Sequence, residues 1–414
     1  MKSSAVWKCL ISTTTVSCLN ESFISTFLQQ QKIMNNSPVK LLVLMFGISL
    51  NSTAPGVTVV PPPPEIEATS YLIADADSGT YLVEKNIDQR VEPASLTKMM
   101  TAYVVASQIS GGHVAMTDQV TVSEKAWRMG GSRMFIEVGK KVGVEDLLKG
   151  VIIQSGNDAS VALAEHVSGT EAAFADLMNQ YAAGLGMEDT HFMNSSGWPH
   201  EDHYTTARDM ATLARALILD HPDIYAMHSI REFTYNNIKQ SNRNNLLWKD
   251  ASVDGIKTGH TESAGYCLVA SSVRDGIRLI SVVMGTDGTR ARTNATQALL
   301  NYSYRFYETR KLFAAGEAVT TVMVWKGERD SIDLAVKDEL VLTLQKGQFD
   351  QLQTVMTVEE ELVAPISAGE ELGRLDLLLD DTVLASSPLA ARGAVAKGSL
   401  FVQFRDHIKM HWRE

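Results

Sequence analysis

Two stretches of the chain carry different hydrophobic rhythms. From Ala94 to about Leu219, apolar residues recur every three or four positions between Gly-rich breaks. This spacing predicts helices over 96–109, 144–153, 158–167, 171–185 and 206–219. Ahead of them, Tyr71-Leu-Ile-Ala-Asp-Ala-Asp-Ser-Gly-Thr-Tyr-Leu-Val reads as a hairpin, two β-rich runs around Asp-Ser-Gly. From Gly255 to Gly285 the rhythm returns to strands, at 266–272 and 278–284, and a helix follows at 293–307. Hairpin, helices, strands and helix in that order predict an α+β domain with helices packed on an antiparallel sheet. Beyond about Leu312 the pattern is all short strands: 319–325, Ser331–Val336, 340–344, 353–358, 372–379 and 383–384. That texture predicts a separate small β-sandwich.

The two ends differ from both. Residues 35–56 contain a basic residue, the apolar run Leu41 to Leu50 and then small residues. That is the layout of a secretory signal peptide, and the run is too short to span a bilayer as a helix. Residues 1–56 are therefore read as an upstream extension plus signal peptide, with the true start at Met34 and cleavage near Ala54-Pro55-Gly56. The first thirty residues look unlike folded sequence. The expected layout is then 57–313 for the α+β domain, 314–395 for the β-sandwich and 396–414 for a terminal helix. On that helix, Leu400, Phe401, Phe404, Ile408 and Trp412 fall within about 120° of arc, with Arg405, Lys409 and Arg413 toward the other side. Such a helix suits a membrane interface, aromatics sunk and bases near anionic headgroups.

Composition narrows the function. Of 414 residues, 45% are hydrophobic and 21% charged, which supports a large core and excludes wholesale disorder. A formal net charge of -11 argues against a nucleic-acid partner. Cys9, Cys18 and Cys267 are too few for a disulfide framework or a four-thiolate zinc site, and Cys267 falls in an apolar strand. His191, His200 and His203, with Glu201 and Asp202, follow no common metal spacing. No metal or organic cofactor is expected.

Three short motifs carry chemistry. The first is Pro93-Ala-Ser-Leu-Thr-Lys, where the proline marks a helix start. Ser95 then sits at the helix N-terminus and Lys98 on the same face one turn later. A serine needs a base to become a nucleophile, and a lysine serves if burial and a nearby cation lower its pKa. The second, Ser155-Gly-Asn157, lies in a turn between two predicted helices, where Ser155 and Asn157 can hydrogen-bond both a lysine and a substrate amide. The third is Lys257-Thr258-Gly259, followed by His260, on a strand. Lys257 offers a charge for a carboxylate, Thr258 a hydroxyl, Gly259 close approach to backbone, and the His260 amide an oxyanion donor beside that of Ser95. Ser37-Pro-Val-Lys40 and Ser49-Leu-Asn51 repeat the spacing of the first two motifs by chance, inside the leader. Asn194-Ser-Ser is formally a glycosylation sequon.

In order, spacing and context these motifs resemble the serine penicillin-recognising enzymes, and more narrowly the low-molecular-weight D-alanyl-D-alanine carboxypeptidases of the penicillin-binding protein 5 and 6 type. Asp75-Ala-Asp-Ser-Gly, Gln154-Ser-Gly-Asn-Asp-Ala, Asn242-Arg-Asn-Asn-Leu-Leu-Trp and Val253-Asp-Gly-Ile-Lys-Thr-Gly-His-Thr add to the likeness, which runs from about residue 66 to the terminus. The resemblance implies a penicillin-binding, transpeptidase-like domain with Ser95 as acyl-enzyme nucleophile, Lys98 as its proton acceptor and Ser155 as proton relay. Asn157, Lys257 and Thr258 would hold substrate, a peptidoglycan stem peptide, and β-lactams would acylate the same serine. Arg243 and Arg292 match positions on the substrate carboxylate side; their other reading is as surface salt-bridge arginines. The implied location is the periplasm, peripherally on the outer face of the inner membrane, with a role in wall remodelling and cell shape. One stretch departs from the pattern: Trp127-Arg-Met-Gly-Gly-Ser-Arg-Met-Phe is shorter than the family's loop near the site, which bears on hydrolysis of the acyl-enzyme rather than its formation. Two other functions compete. A class A β-lactamase requires a glutamate in a Glu-x-x-x-Asn loop between the second and third motifs and accommodates the extra β-domain badly. A scaffold without turnover has no need of Ser95, Lys98 and Ser155 together.

Overall fold

The structure, a computed structural model, describes residues 4–12, 15–20 and 60–411. They fall in two compact units, Pro61–Tyr307 and the chain from Glu308 onward, the latter joined by the N-terminal strands. In the first unit, the hairpin read at Asp75-Ala-Asp-Ser-Gly forms as β1 (Ser70–Asp75) and β2 (Tyr81–Lys85). The Asp75 carboxylate accepts the amides of Asp77 at 3.0 Å and Ser78 at 2.7 Å, and Gly79 supplies a positive φ. With β3 (Val253–Thr261), β4 (Gly265–Arg274) and β5 (Ile277–Thr286) it makes a five-stranded antiparallel sheet in the order β2-β1-β5-β4-β3. The third motif therefore lies on an edge strand.

Side chains of the central strands leave by alternate faces. Leu72, Ala74, Ile280 and Val282 enter one core with the helices α1 (Thr97–Ser110), α2 (Asn157–Ser168), α3 (Glu171–Gly184) and α4 (Ala207–Asp220). Tyr71, Ile73, Leu279 and Val283 enter a second core with Leu299 and Leu300 of α5 (Thr289–Phe306). Thr170 and Thr206 cap α3 and α4 by accepting the amides of Ala173 and Asp209. Helix α1 is buried at every position from Thr97 to Ala106, so it has no polar face to give it helical amphipathicity. Two features escape the periodicity. The predicted helix 144–153 is α-helical only over Val144–Lys149 and continues as a π turn, Gly150–Gln154. Two small strand pairs, Gln119–Thr121 with Lys141–Gly143 and the hairpin of Glu232–Tyr235 with Ile238–Ser241, have strands too short to show alternation.

The second unit is all-β, as its texture predicts, apart from its terminal helix and one short 3-10 turn. One sheet runs Leu362–Val363, Ala318–Trp325, Ser331–Val336, Thr382–Ala391, Glu371–Leu379, Gln353–Glu359, Ser4–Ser12 and Thr15–Asn20. Tyr307–Phe313 pairs with Leu340–Gln345 in another, and Leu334, Leu375, Leu377 and Leu389 are fully buried between them and their neighbours. The N-terminal strands differ from the reading of the first thirty residues as unlike folded sequence. Ser4–Ser12 pairs antiparallel with Gln353–Glu359, an edge that would otherwise stand open, and its Val, Trp and Ile residues favour strand. The apolar run of the signal-peptide reading lies outside the described residues.

The terminal helix spans Leu400–His411. Asp406, 3% exposed, accepts the Lys326 amide at 2.8 Å, and Arg405 bonds Asp406 at 2.8 Å. Leu400, Phe401, Phe404 and Ile408 are 85%, 77%, 64% and 42% exposed. Trp412 and Arg413 lie outside the described residues. No described helix is long and apolar enough to cross a membrane.

Candidate active site

Pro93 opens a single 3-10 turn, Ala94–Leu96, which feeds directly into α1. Ala94 is held at φ +47°, a conformation that costs a residue with a side chain. The turn leaves Ser95 partly exposed in a cleft of about 960 Å³, with Lys98 buried beneath it at 1% exposure. Gly197 makes the turn possible: a Cβ there would stand 1.8 Å from the Ala94 carbonyl oxygen.

Lys98 Nζ has three partners: Ser95 Oγ at 3.1 Å, Asn157 Oδ1 at 2.7 Å and the Ser196 carbonyl at 2.5 Å. Two of these can only accept. A neutral amine has two N–H groups and one lone pair, so the two carbonyls consume the hydrogens and the lone pair faces Ser95. Burial, and then the Arg243 cation, pull the Lys98 pKa down to about 7 against the opposing pull of Asp158 and Glu171. The neutral form that this arrangement requires is thus well populated near neutral pH.

The second and third motifs meet behind the same cleft. The π turn delivers Ser155 in the left-handed conformation, φ +66°, and π turns of this kind recur at functional sites. Lys257 Nζ donates to Ser155 Oγ at 2.9 Å and to the Thr258 carbonyl at 3.0 Å. Burial first, then Lys98, Arg243 and Arg292, hold the Lys257 pKa well below its usual range. This bears on the expectation that Lys257 offers its charge to a carboxylate. Lys257 is 3% exposed and stands behind Ser155, while Thr258, Gly259 and His260 line the cleft.

Arg243 and Arg292 also line the cleft, and among the described residues both bond backbone carbonyls, although Arg243 is exposed and only Arg292 is buried. Arg243 donates to the Gln154 carbonyl at 3.1 Å. Arg292, 6% exposed, donates to the carbonyls of Gly259 and Cys267 at 3.0 and 3.2 Å, bracing the edge strand from within. Gly259 has a second use: its bare Cα packs on the nucleophile's turn, where a Cβ would meet the Pro93 carbonyl at 3.1 Å. The exposed His260 ring lies against Tyr266, centroids 3.9 Å apart and planes tilted by 33°.

Asn157 is more committed than the sequence suggests. Its Oδ1 serves Lys98, and its Nδ2 donates to the Gly130 carbonyl at 2.8 Å. One N–H hydrogen is left for a ligand. The short stretch from Trp127 is pinned by the next residue. The Asp158 carboxylate accepts the amides of Met134 and Phe135 at 2.8 Å and of Ile136 at 3.3 Å, which sets Gly131 and Ser132 on the cleft wall.

Several contributors have no motif to announce them. Asn194, a formal sequon in the sequence, builds the turn that aims Ser196 at Lys98. Its Oδ1 accepts the amides of Ser196, Gly197 and Trp198 at 3.2, 2.8 and 3.0 Å. An Asn followed by small residues and glycine was the available signal. His203 bonds Thr97 Oγ1 at 2.8 Å, and burial pulls its pKa to about 4, while His191 bonds the Asp202 carbonyl and His200 is exposed, so the three serve separate ends. A Glu-x-x-x-Asn spacing occurs once between the second and third motifs, at Glu232 to Asn236. It lies on an exposed hairpin with Glu232 paired to Lys239 at 2.7 Å, and neither residue lines the cleft.

Comparison with known proteins bears on the chain as a whole. Residues 57–288 match the family described as D-alanyl-D-alanine carboxypeptidase, and residues 307–397 match the C-terminal domain of penicillin-binding protein 5. The chain is 40% identical to the D-alanyl-D-alanine carboxypeptidase DacA of Escherichia coli over 366 residues, 86% of this chain and 91% of that one. Penicillin-binding protein 5 of Haemophilus influenzae superposes with a TM-score of 0.78 at 40% identity, covering 81% of this chain and all of that one. Penicillin-binding protein D2 of Listeria monocytogenes, solved in an ampicillin-bound form, superposes with a TM-score of 0.55 at 28% identity over 59% of this chain and all of that one.

Proposed function

The chain belongs to the serine peptidase family of D-alanyl-D-alanine carboxypeptidases, and from that premise we propose how its residues remove the terminal D-Ala of a peptidoglycan stem peptide. The observation that carries the reading is the set of three contacts at Lys98 Nζ, in which two carbonyl acceptors leave the lone pair of the neutral amine to Ser95. Lys98 takes the Ser95 proton, and Oγ attacks the carbonyl carbon of the penultimate D-Ala. The amides of Ser95 and His260 stabilise the oxyanion. Collapse of the tetrahedral species breaks the amide bond, and D-Ala leaves with a proton relayed through Lys98 and Ser155. Water then hydrolyses the ester by the reverse relay, returning Ser95. The stem peptide lies along the free edge of β3, beside residues 258–260 that line the cleft. Arg243 receives its terminal carboxylate, and Asn157, Thr258 and Gly259 hold its backbone. Arg292 supports that edge.

A β-lactam presents the same carbonyl and carboxylate, and acylates Ser95. Incubation with a penicillin followed by peptide mass spectrometry is expected to place one adduct on Ser95, and a pentapeptide substrate is expected to release free D-Ala. An adduct without release would favour the scaffold, and an adduct on another serine would sink the assignment.

The proposed location is the periplasm. Residues 1–56 act as extension and leader, and the terminal helix holds the protein to the inner membrane through its exposed Leu400, Phe401, Phe404 and Ile408. The mass of the exported protein decides the first point. A start near residue 57 supports the leader, whereas a retained Met1 would mean the Ser4–Ser12 strand stays in the sheet.

A further inference from the structure

We propose that Glu171 is a positioning residue for the base: through Ser195 it fixes the segment whose next carbonyl, that of Ser196, orients the Lys98 amine. This rests on the reading of Lys98 as the proton acceptor. Glu171 is the first residue of α3, capped by Thr170, a place where the helix dipole favours a carboxylate. It is 8% exposed. Its Oε1 accepts both the Ser195 amide at 3.1 Å and the Ser195 hydroxyl at 2.8 Å, and its Oε2 pairs with Lys125 at 2.8 Å. The Ser195 carbonyl is held from the other side by Thr101 Oγ1 at 2.6 Å. Ser195 is thus gripped by α3 on one side and by α1, which carries Lys98, on the other.

The consequence follows from hydrogen counting. An amine whose two hydrogens are taken by Asn157 and Ser196 cannot turn its lone pair away from Ser95. If residues 195–196 relax, one hydrogen is released and the amine can donate to Ser95 instead of accepting from it. Glu171 bonds neither Ser95 nor Lys98, so apart from the pull of its charge on the amine its effect passes through the backbone at 195–196.

The test measures acylation of the full chain by a fluorescent penicillin as a function of pH, separating the binding constant from the acylation rate constant. The charged or titratable groups facing Lys98 are Arg243, Lys257, His203, Asp158 and Glu171. Removing the Glu171 charge favours neutral Lys98, so Glu171→Gln and Glu171→Ala should both move the acid limb to lower pH. The high-pH plateau separates the two variants, because Gln keeps an acceptor for Ser195 and Ala does not. Glu171→Ala is expected to lower the plateau about tenfold with binding unchanged, and Glu171→Gln to stay within about threefold of the parent. A parent-like plateau in Glu171→Ala overturns the proposal. So does an equal fall in both variants, which would assign the effect to charge. If Glu171→Ala does not fold, Ser195→Ala removes only the hydroxyl half of the grip and is expected to lower the plateau about threefold, with no fall overturning the idea. Failure of the parent protein to acylate would instead sink the reading of Lys98 itself.

Discussion

At the scale of single residues, the site turns on what is denied to one amine. Water around an ordinary lysine holds it charged, and here burial replaces that water with two carbonyls and one hydroxyl. The charged form loses solvation, the Arg243 cation adds repulsion, and the proton affinity falls until the pKa is about 7. The pH dependence has a definite sign. A base must be unprotonated, so the working fraction of Lys98 grows as pH rises through about 7. The acylation rate constant is expected to rise nearly tenfold from pH 6 to pH 8 and then flatten, as one group with this midpoint requires. Stopped-flow acylation across that range checks it; a flat profile, or one falling with pH, would contradict a lysine base. Lys98→Met, which removes the amine and keeps most of the volume, is expected to show no acylation while retaining a cooperative melt.

At the scale of elements, the sequence announces what has a long repeat or a named side chain, and little else. Helices α2 to α4 and strands β4 and β5 fall where periodicity puts them, because each buries a face over ten or more residues. The two small strand pairs stay hidden because three or four residues carry no detectable period. The three motifs were legible because hydroxyls and amines are side chains. The Ser196 carbonyl was not, since every residue has one and only the Asn194 turn aims it. Lys257 was read as a charge for a carboxylate, and its bond to Ser155 stayed hidden because sequence does not tell which side of an edge strand a long side chain enters. Asp158 shows how an element is held by one such hidden contact. Its carboxylate, 1% exposed, gathers three amides of the stretch that walls the cleft. Asp158→Ala leaves those buried donors unpaired and is expected to cost about 2–4 kcal/mol of stability. Because Asn157 bonds Gly130 and Ser132 in the same stretch, acylation should also slow about tenfold or more. Thermal melts and acylation rates read the two effects separately, and a variant as stable and as fast as the parent would show that the stretch is held otherwise.

At the scale of the whole molecule, the terminal helix raises a question of sign. A chain with a formal net charge of -11 is repelled as a body by an anionic bilayer surface, and Arg405 already spends its charge on Asp406 and Asp330. Attraction by basic residues is therefore a weak basis for attachment. The apolar side is the stronger one. Leu400, Phe401, Phe404 and Ile408 share an arc, stand 42% to 85% exposed, and face away from the Asp406 contact that ties the helix to its own domain. Each aromatic sunk into the interface contributes about 1.5–3 kcal/mol. Replacing Phe401 and Phe404 together by Ser should thus weaken binding at least a hundredfold, whereas raising the salt should change it only a few-fold, since screening acts on charge alone. Flotation of the full chain with vesicles of mixed neutral and anionic lipid measures both. The double variant is expected to stay with the soluble fraction while releasing D-Ala from a free pentapeptide at the parent rate, because neither phenylalanine lines the cleft. Flotation abolished by salt yet indifferent to the two phenylalanines would mean that charge, and not this apolar face, holds the protein to the membrane.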